Sequence, residues 1–370
     1  MADLAERLGP GPAEVILLTK GALRERIGGD SPADFHYGFP GLLRRGVDAR
    51  MQSTSAPYPG AVGSAHRFAE RIWARLTGIS RRKHFLDCRR SDWRDARLIM
   101  GFTDHFSLTL GDYFRSQPRR PFTIGLFHGL SDYGRHLTPL GRRLAGSYVR
   151  RALGGLDHVA FMSPADREQA MARYSLAEAA TSVFHFGVDT AFWTPSREGA
   201  GDFNVLAVGS DPSRDYGTLL ASDPGCPVHI VTTLAVAAAN VTVTRGDFFQ
   251  SPLSDGALRE LYGRAGVVVI PVHDVFQPSG QSVALQAMAC GRPVILSRNK
   301  GLWAPELLVD GENCLLVAPG DAGALSSAIG RLMNDSSLSQ RLGARARETV
   351  QAHFTLAHME RSLAALVSLP

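Results

Sequence analysis

At 370 residues the chain has the length of two domains of ordinary size or one large one. With 44% hydrophobic and 20% charged residues it carries enough apolar material for a core, which excludes a disordered or low-complexity protein. Its formal charge of +5 divides unevenly: residues 1–197 hold 28 Lys/Arg against 19 Asp/Glu, a net +9, and residues 198–370 hold 12 against 16, a net −4.

In chain order, the first half reads as strands at 15–18, 96–100, 122–127 and 158–162, with helices at 32–45 and 164–174. Ser31 suits the N-cap of the first of these helices and Pro32 its first position. Between them, residues 66–78 place Phe68, Ile72, Trp73 and Leu76 at helical spacing beside Arg67, Arg71 and Arg75. Such a helix either lies on an anionic membrane surface or packs on its own core with a solvated basic edge. The basic excess is densest from Arg67 to Arg97 and recurs at Arg142-Arg143 and Arg150-Arg151, a pattern that attracts polyanions. Nucleic acid is not expected, because no binding motif accompanies the arginines. A loop rich in Gly, Ser, Arg and Glu at 196–202 separates the halves.

The second half restarts the rhythm, with strands at 204–208, 228–231, 241–243, 267–270, 293–296 and 314–317. Helices are expected near 256–265, 281–290, 321–333 and 336–352. The pattern predicts an α/β protein of two successive doubly wound domains, 1–195 and 203–352, and a terminal helix at 353–370 that packs back toward the first domain. Ligands of such domains sit beyond the carboxyl ends of the strands, here in the cleft of a two-domain pair.

No stretch approaches the roughly 20 apolar residues that cross a bilayer, and Met1 to Arg7 lacks the layout of a secretory signal. Four cysteines without CxxC or CxxH spacing suggest neither a disulfide framework nor a zinc site, so a soluble cytoplasmic protein is expected. There is no GxxxxGK[ST] loop, no GxSxG elbow, no HExxH and no Asp-x-Asp pair. Any chemistry is therefore expected to need no metal. The most informative segment is Gln277-Pro278-Ser279-Gly280-Gln281-Ser282, which turns into a helix ending at Gly291. A small-residue turn entering a helix leaves free N–H groups and a positive dipole end, which suits a phosphate. Ser282 and Gln286, at i and i+4, share one face; an ordinary βα turn uses the same residue types.

The run Gln286-Ala287-Met288-Ala289-Cys290-Gly291-Arg292-Pro293-Val294 resembles the Glu-Ala-Met-Ala-x-Gly-x-Pro-Val signature of the retaining glycosyltransferase family 4, the glycosyl transferases group 1, built on the GT-B fold. Gly187-Val188-Asp189 through Pro195, Val208-Gly209-Ser210 through Arg214, Asp310-Gly311-Glu312-Asn313 through Asp321, and Phe127-His128-Gly129 resemble further elements of that family in the right order. The resemblance is strong over about 157–355 and thin before 120. It implies transfer of a sugar from a nucleotide-diphosphate sugar to a saccharide or lipid-linked acceptor, with retention of configuration, in synthesis of a surface polysaccharide or glycolipid. A cytoplasmic protein peripheral on the membrane would fit that role. The nucleotide sugar is a co-substrate, and no cofactor is implied.

By the resemblance His128 is the catalytic candidate reaching the transferred sugar. Arg214 first and Lys300 second are implied for the diphosphate, with Ser279, Gly280, Gln281, Ser282 and Gln286 also on the donor. Asp104 and His105 line the acceptor side with Gly29, whose Gly28-Gly29-Asp30-Ser31 turn can direct amides toward the phosphates. Two departures stand out. The family's pair of glutamates eight residues apart reads here as Pro278 and Gln286, and its phosphate-loop Arg and Lys read as Ser210 and Asp215. A neutral amide still hydrogen-bonds hydroxyls, so Gln286 keeps a role at the ribose. The same fold also serves nucleotide-sugar epimerisation and phosphorolysis, and loss of both glutamates is compatible with a degenerate protein that only binds sugar nucleotides.

Overall fold

The computed structural model describes residues 2–19, 31–53, 64–81, 83–195, 204–246 and 253–369. Two compact units divide the chain: residues 1–27, 38–184 and 360–370 form one, and residues 28–37 with 185–359 form the other. The division therefore falls at 184/185, and the short stretch 28–37 belongs with the second unit. The expected loop at 196–202 lies outside the described residues.

The first unit contains α1 (Ala2–Arg7), β1 (Val15–Thr19), α2 (Phe39–Arg44), β2 (Ala49–Ser53), α3 (Ser64–Thr77), α4 (Lys83–Cys88) and α5 (Arg90–Trp93). These are followed by β3 (Leu98–Gly101), α6 (Asp104–Phe114), β4 (Phe122–Phe127), α7 (Pro139–Leu153), β5 (His158–Phe161), α8 (Pro164–Tyr174) and β6 (Thr181–Val183). All six strands run parallel in the order β2-β1-β3-β4-β5-β6. The inner strands β1, β3, β4 and β5 are mostly apolar because helices cover both faces, so Val15 to Leu18 and Ile124 to Phe127 are buried without alternation. Helices α6 and α7 approach closely at glycines: a Cβ on Gly111 would lie 2.0 Å from the Ala152 carbonyl, so no larger residue fits there. The chain from Glu360 onward joins this unit through an ion pair of Glu360 with Arg44 and a 3.0 Å bond from Arg97 Nη1 to the Val367 carbonyl.

The helix expected at 32–45 is not continuous. Tyr37 (φ 50°) and Gly38 (φ 83°) are left-handed, so a short 3-10 turn at Asp34–His36 ends there and α2 begins anew, capped by Gly38. Ser31 thus caps no α-helix.

The second unit contains β7 (Val205–Val208), α9 (Tyr216–Ala221), β8 (Val228–Val231), β9 (Val241–Thr244), α10 (Asp255–Arg264), β10 (Val267–Ile270) and α11 (Gln281–Ala289). It continues with β11 (Val294–Ser297), β12 (Leu315–Val317), α12 (Ala322–Asn334), α13 (Ser336–His353) and the start of α14 (Leu356–Val367). Its parallel sheet has the order β12-β11-β10-β7-β8-β9. Strand order reverses between β7 and β10, and it is outside the carboxyl ends of the strands at such a reversal that doubly wound sheets bind ligands.

Candidate active site

Two loops leave the sheet at that reversal. Strand β7 leads into Gly209 (φ 140°), which donates to the Val231 carbonyl and whose own carbonyl accepts from the Tyr216 hydroxyl at 2.6 Å. Asp211 then makes an Asx turn, accepting from the Ser213 N–H at 2.7 Å. The loop is laced to the segment after β10: Arg214 bridges Val272, the Asp215 N–H reaches the Pro271 carbonyl at 2.9 Å, and the His273 N–H reaches the Ser213 carbonyl at 3.0 Å. The Asp211 carboxylate also accepts from Gln277 Nε2 at 2.9 Å and from the Ser279 hydroxyl at 3.2 Å, so it joins both loops.

This lacing holds the Arg214 side chain inside. Arg214 is only 6% exposed, and its buried Nε and Nη1 have no hydrogen-bond partner among the described residues. The guanidinium fills the space left by two glycines. A Cβ on Gly209 would lie 2.4 Å from Nε, and one on Gly280 would lie 2.6 Å from Nη1 and 2.3 Å from Ile270 Cγ2. Gly280 (φ 87°) is the N-cap of α11 and offers no side chain to cap it. The first intrahelical bond there runs from the Ala284 N–H to the Gly280 carbonyl, so the Ser282 and Val283 amides precede the ladder. A cation and a helix N-terminus thus stand side by side, and Arg214 forms no ion pair within 4.0 Å among the described residues. Two positive ends without an anion are mutually unfavourable; an anionic group between them satisfies both.

Of the other donor-side candidates, Ser279 and Gln281 are buried at the turn, and Ser282 is half-buried on the first turn of α11. Lys300 is about half exposed and already paired, with Nζ 2.8 Å from Asp274, whose carboxyl the lysine holds below the usual range. Asp215, where the family places a lysine, caps α9 by accepting from the Thr218 N–H at 3.0 Å. A surface concavity lined by Leu219, Cys226, Val228 and Val241 lies at the amino ends of β8 and β9, the opposite end of the sheet from Arg214.

Gln286 has a different environment from the one expected. It is buried, its Nε2 donates to Asp34 at 3.0 Å and its Oε1 accepts from the Tyr262 hydroxyl at 3.3 Å. Asp34 is fully buried and accepts two more bonds, from the Trp193 indole at 2.7 Å and the Asp189 N–H at 2.6 Å. Burial lifts its carboxyl to about 6, against those hydrogen bonds, which pull it down. A glutamate at 286 would set one buried carboxylate against another, which gives a physical reason for the amide here.

In the first unit, the remaining candidates meet beyond β3 and β4. The Asp104 carboxylate accepts from the His128 N–H at 2.9 Å and so fixes the chain where it leaves β4. His105 Nδ1 accepts from the Ser80 N–H at 3.3 Å, and its ring stands edge-on to Tyr133. The turn after His128 is held by Asp166, which accepts from the Leu130 N–H at 3.0 Å and the Ser131 N–H at 2.8 Å. Burial raises the Asp166 carboxyl to about 7. Gly29 lies outside the described residues. The sequence offered no pointer to Asp34 or Asp166; Asp211, in Asp-Pro-Ser, carried a turn signal only.

Residues 202–335 match the family described as Glycosyl transferases group 1, a stretch that includes the Arg214 loop and α11. Glycogen synthase of Mycobacterium tuberculosis is 29% identical over 189 residues, 47% of this chain and 44% of that protein. The MMP alpha-(1->4)-mannosyltransferase of Mycolicibacterium hassiacum is 28% identical over 223 residues, covering 55% and 53%. The chain thus spans about half the length of these curated relatives. Among solved structures, sucrose-phosphate synthase of Thermosynechococcus elongatus superposes with a TM-score of 0.70 at 20% identity, covering 96% of this chain and 98% of that one. Anabaena Alr3699/HepE, solved in complex with UDP and glucose, gives 0.63 at 16% identity, covering 97% and 100%. Two parallel six-stranded sheets with these neighbours make the fold GT-B.

Proposed function

We propose that this chain, whose residues 202–335 form a glycosyl transferases group 1 domain on a GT-B fold, is a retaining glycosyltransferase that acts without a metal. It would move a sugar from a nucleotide-diphosphate sugar to a saccharide or lipid-linked acceptor, in synthesis of a surface polysaccharide or glycolipid. One observation carries the proposal: a buried arginine with two unpartnered donors, set against an uncapped helix N-terminus at the strand-order reversal. A diphosphate supplies the missing acceptors. As the glycosidic bond breaks, charge grows on the leaving phosphate, and donors already fixed there stabilise it without reorganising. Ser279, Gly280, Gln281 and Ser282 shape the cradle, and Lys300 reaches it only by leaving Asp274. His128 is the candidate for the transferred sugar, with Asp104 positioning its backbone.

Turnover tests this directly. UDP- and GDP-sugars are incubated with saccharide and lipid-linked acceptors in EDTA, nucleoside diphosphate release is followed, and the product anomer is read by NMR. Release that requires acceptor and gives a product of the donor's configuration supports the proposal; release without acceptor points to hydrolysis, and a stereochemically altered nucleotide sugar formed without release points to epimerisation. A second reading, a protein that binds sugar nucleotides without turning them over, is favoured by Gln286, whose amide is engaged at both ends, and by Pro278 at the other glutamate position. Diphosphate binding with no turnover, unchanged in His128→Ala, would establish it.

A further inference from the structure

Four of the six large hydrophobic side chains exposed among the described residues lie on two neighbouring helices of the first unit. Phe68, Ile72 and Leu76 of α3 are 62%, 45% and 43% exposed, and Leu140 at the start of α7 is 62% exposed. The three α3 residues recur every fourth position, so they form one row spanning about 80° of the helix surface. This row is not the face that packs inward. Trp73 of the same helix packs on Tyr148 of α7, ring centroids 5.6 Å apart, and Thr77 is fully buried. The helices meet where Gly141 approaches the Leu76 carbonyl, a Cβ there falling 2.4 Å from the oxygen. Leu140, next in the chain, is exposed beside this contact, near the Leu76 end of the row.

On the described residues of these two helices, the charges beside the row are all of one sign. Arg71 and Arg75 are exposed along one edge of α3, and Arg142 and Arg143 are exposed just beyond Leu140. The single acid of α3, Glu70, is half-buried on the side away from the row. Apolar side chains edged by guanidinium groups match an anionic lipid surface, where the chains enter the acyl boundary and the cations meet headgroup phosphates. We propose that α3 and the start of α7 form a docking surface that lays this chain on an anionic membrane. No helix among the described residues is long and apolar enough to cross one, so the attachment is to the surface. This proposal does not depend on the sugar-transfer reading.

The test is co-sedimentation of the full chain with phosphatidylcholine vesicles, with and without about 30% phosphatidylglycerol, at low and high salt. Binding is expected only to the anionic vesicles and weakens as salt rises. Ile72→Glu/Leu76→Glu loses at least about tenfold, and Arg142→Ala about fivefold, one cation's worth. Because these side chains are exposed, circular dichroism and melting should be unchanged; Leu140→Glu, on the other helix, repeats the measurement independently. Failure to bind anionic vesicles, or binding unaltered by both apolar variants, overturns the proposal. So does a concentration-dependent dimer abolished by Ile72→Glu in protein that ignores vesicles, since the row would then be a contact between copies.

Discussion

Replacing Gln286 with glutamate probes the network around Asp34. The amide nitrogen that donates to Asp34 at 3.0 Å becomes a carboxyl oxygen, and Asp34 is fully buried. Two carboxylates at that separation do not both stay ionised, so the folded variant holds one proton that the unfolded chain releases. From an ordinary glutamate value near 4.3, keeping that proton at pH 7 costs about 4 kcal/mol, a large share of a domain's typical stability. The folded-state value is raised above the unfolded one, so the penalty grows with pH, by about 1.4 kcal/mol per unit between roughly pH 6 and 8. Urea unfolding followed by circular dichroism at three pH values measures it. Adding Asp34→Asn should restore most of the loss, because an amide again faces a carboxylate. A penalty below about 1 kcal/mol that does not vary with pH would refute the argument and place the 286 side chain in water.

Gly280→Ala puts a methyl group 2.6 Å from Arg214 Nη1 at a positive φ, and should cost about 1–3 kcal/mol while weakening nucleoside diphosphate binding. Gly291→Ala has similar backbone strain (φ 70°) but meets nothing nearer than 3.5 Å, so thermal melts should show about 1–2 kcal/mol lost with binding intact. Asp104→Ala removes the acceptor of the His128 N–H, for about 1–2 kcal/mol of stability. With Asp104 as a positioning residue, kcat should fall while KM for the donor holds. Asp34 and Asp166 have folded values of about 6 and about 7, above the ordinary 3.8. Their contribution is complete below about pH 4 and is lost as pH rises toward 7; Asp34→Asn and Asp166→Asn should each flatten the stability profile there by up to about 1.4 kcal/mol per unit.

Where the sequence was informative, burial was the reason. Strands of a parallel sheet covered on both faces are unbroken apolar runs, so Phe122–Phe127, Val228–Val231 and Val267–Ile270 stand where they were read, as does the helix Pro164–Tyr174; its Ser163 cap is seen only in the structure. Strand β2 lacked that signal: Ala49-Arg50-Met51-Gln52-Ser53 is an edge strand whose Arg50 and Gln52 bond to the Glu6 carbonyl and to Asp92. Strand β6 is only three residues long. The break at Tyr37-Gly38 was hidden because Tyr37 takes a left-handed conformation that its type disfavours. At the candidate site, the turn at Ser279-Gly280 and the position of Arg214 could be read from order along the chain. What Gly209 and Gly280 leave room for could not, because the guanidinium reaches both only in three dimensions. Asp34 is further still from any local pattern, since its partners Trp193 and Gln286 lie 159 and 252 residues away.

Calorimetric titration of the chain with UDP and GDP in EDTA, repeated on Arg214→Met, bears most directly on the anion cradle. One diphosphate should bind without metal, and the variant should bind it about 10- to 150-fold more weakly, the loss of a charge-assisted bond. Free of ligand, the variant should melt no lower than the parent, because a buried cation without a partner has been removed. Unchanged diphosphate affinity in Arg214→Met, or binding that disappears in EDTA, would contradict the account.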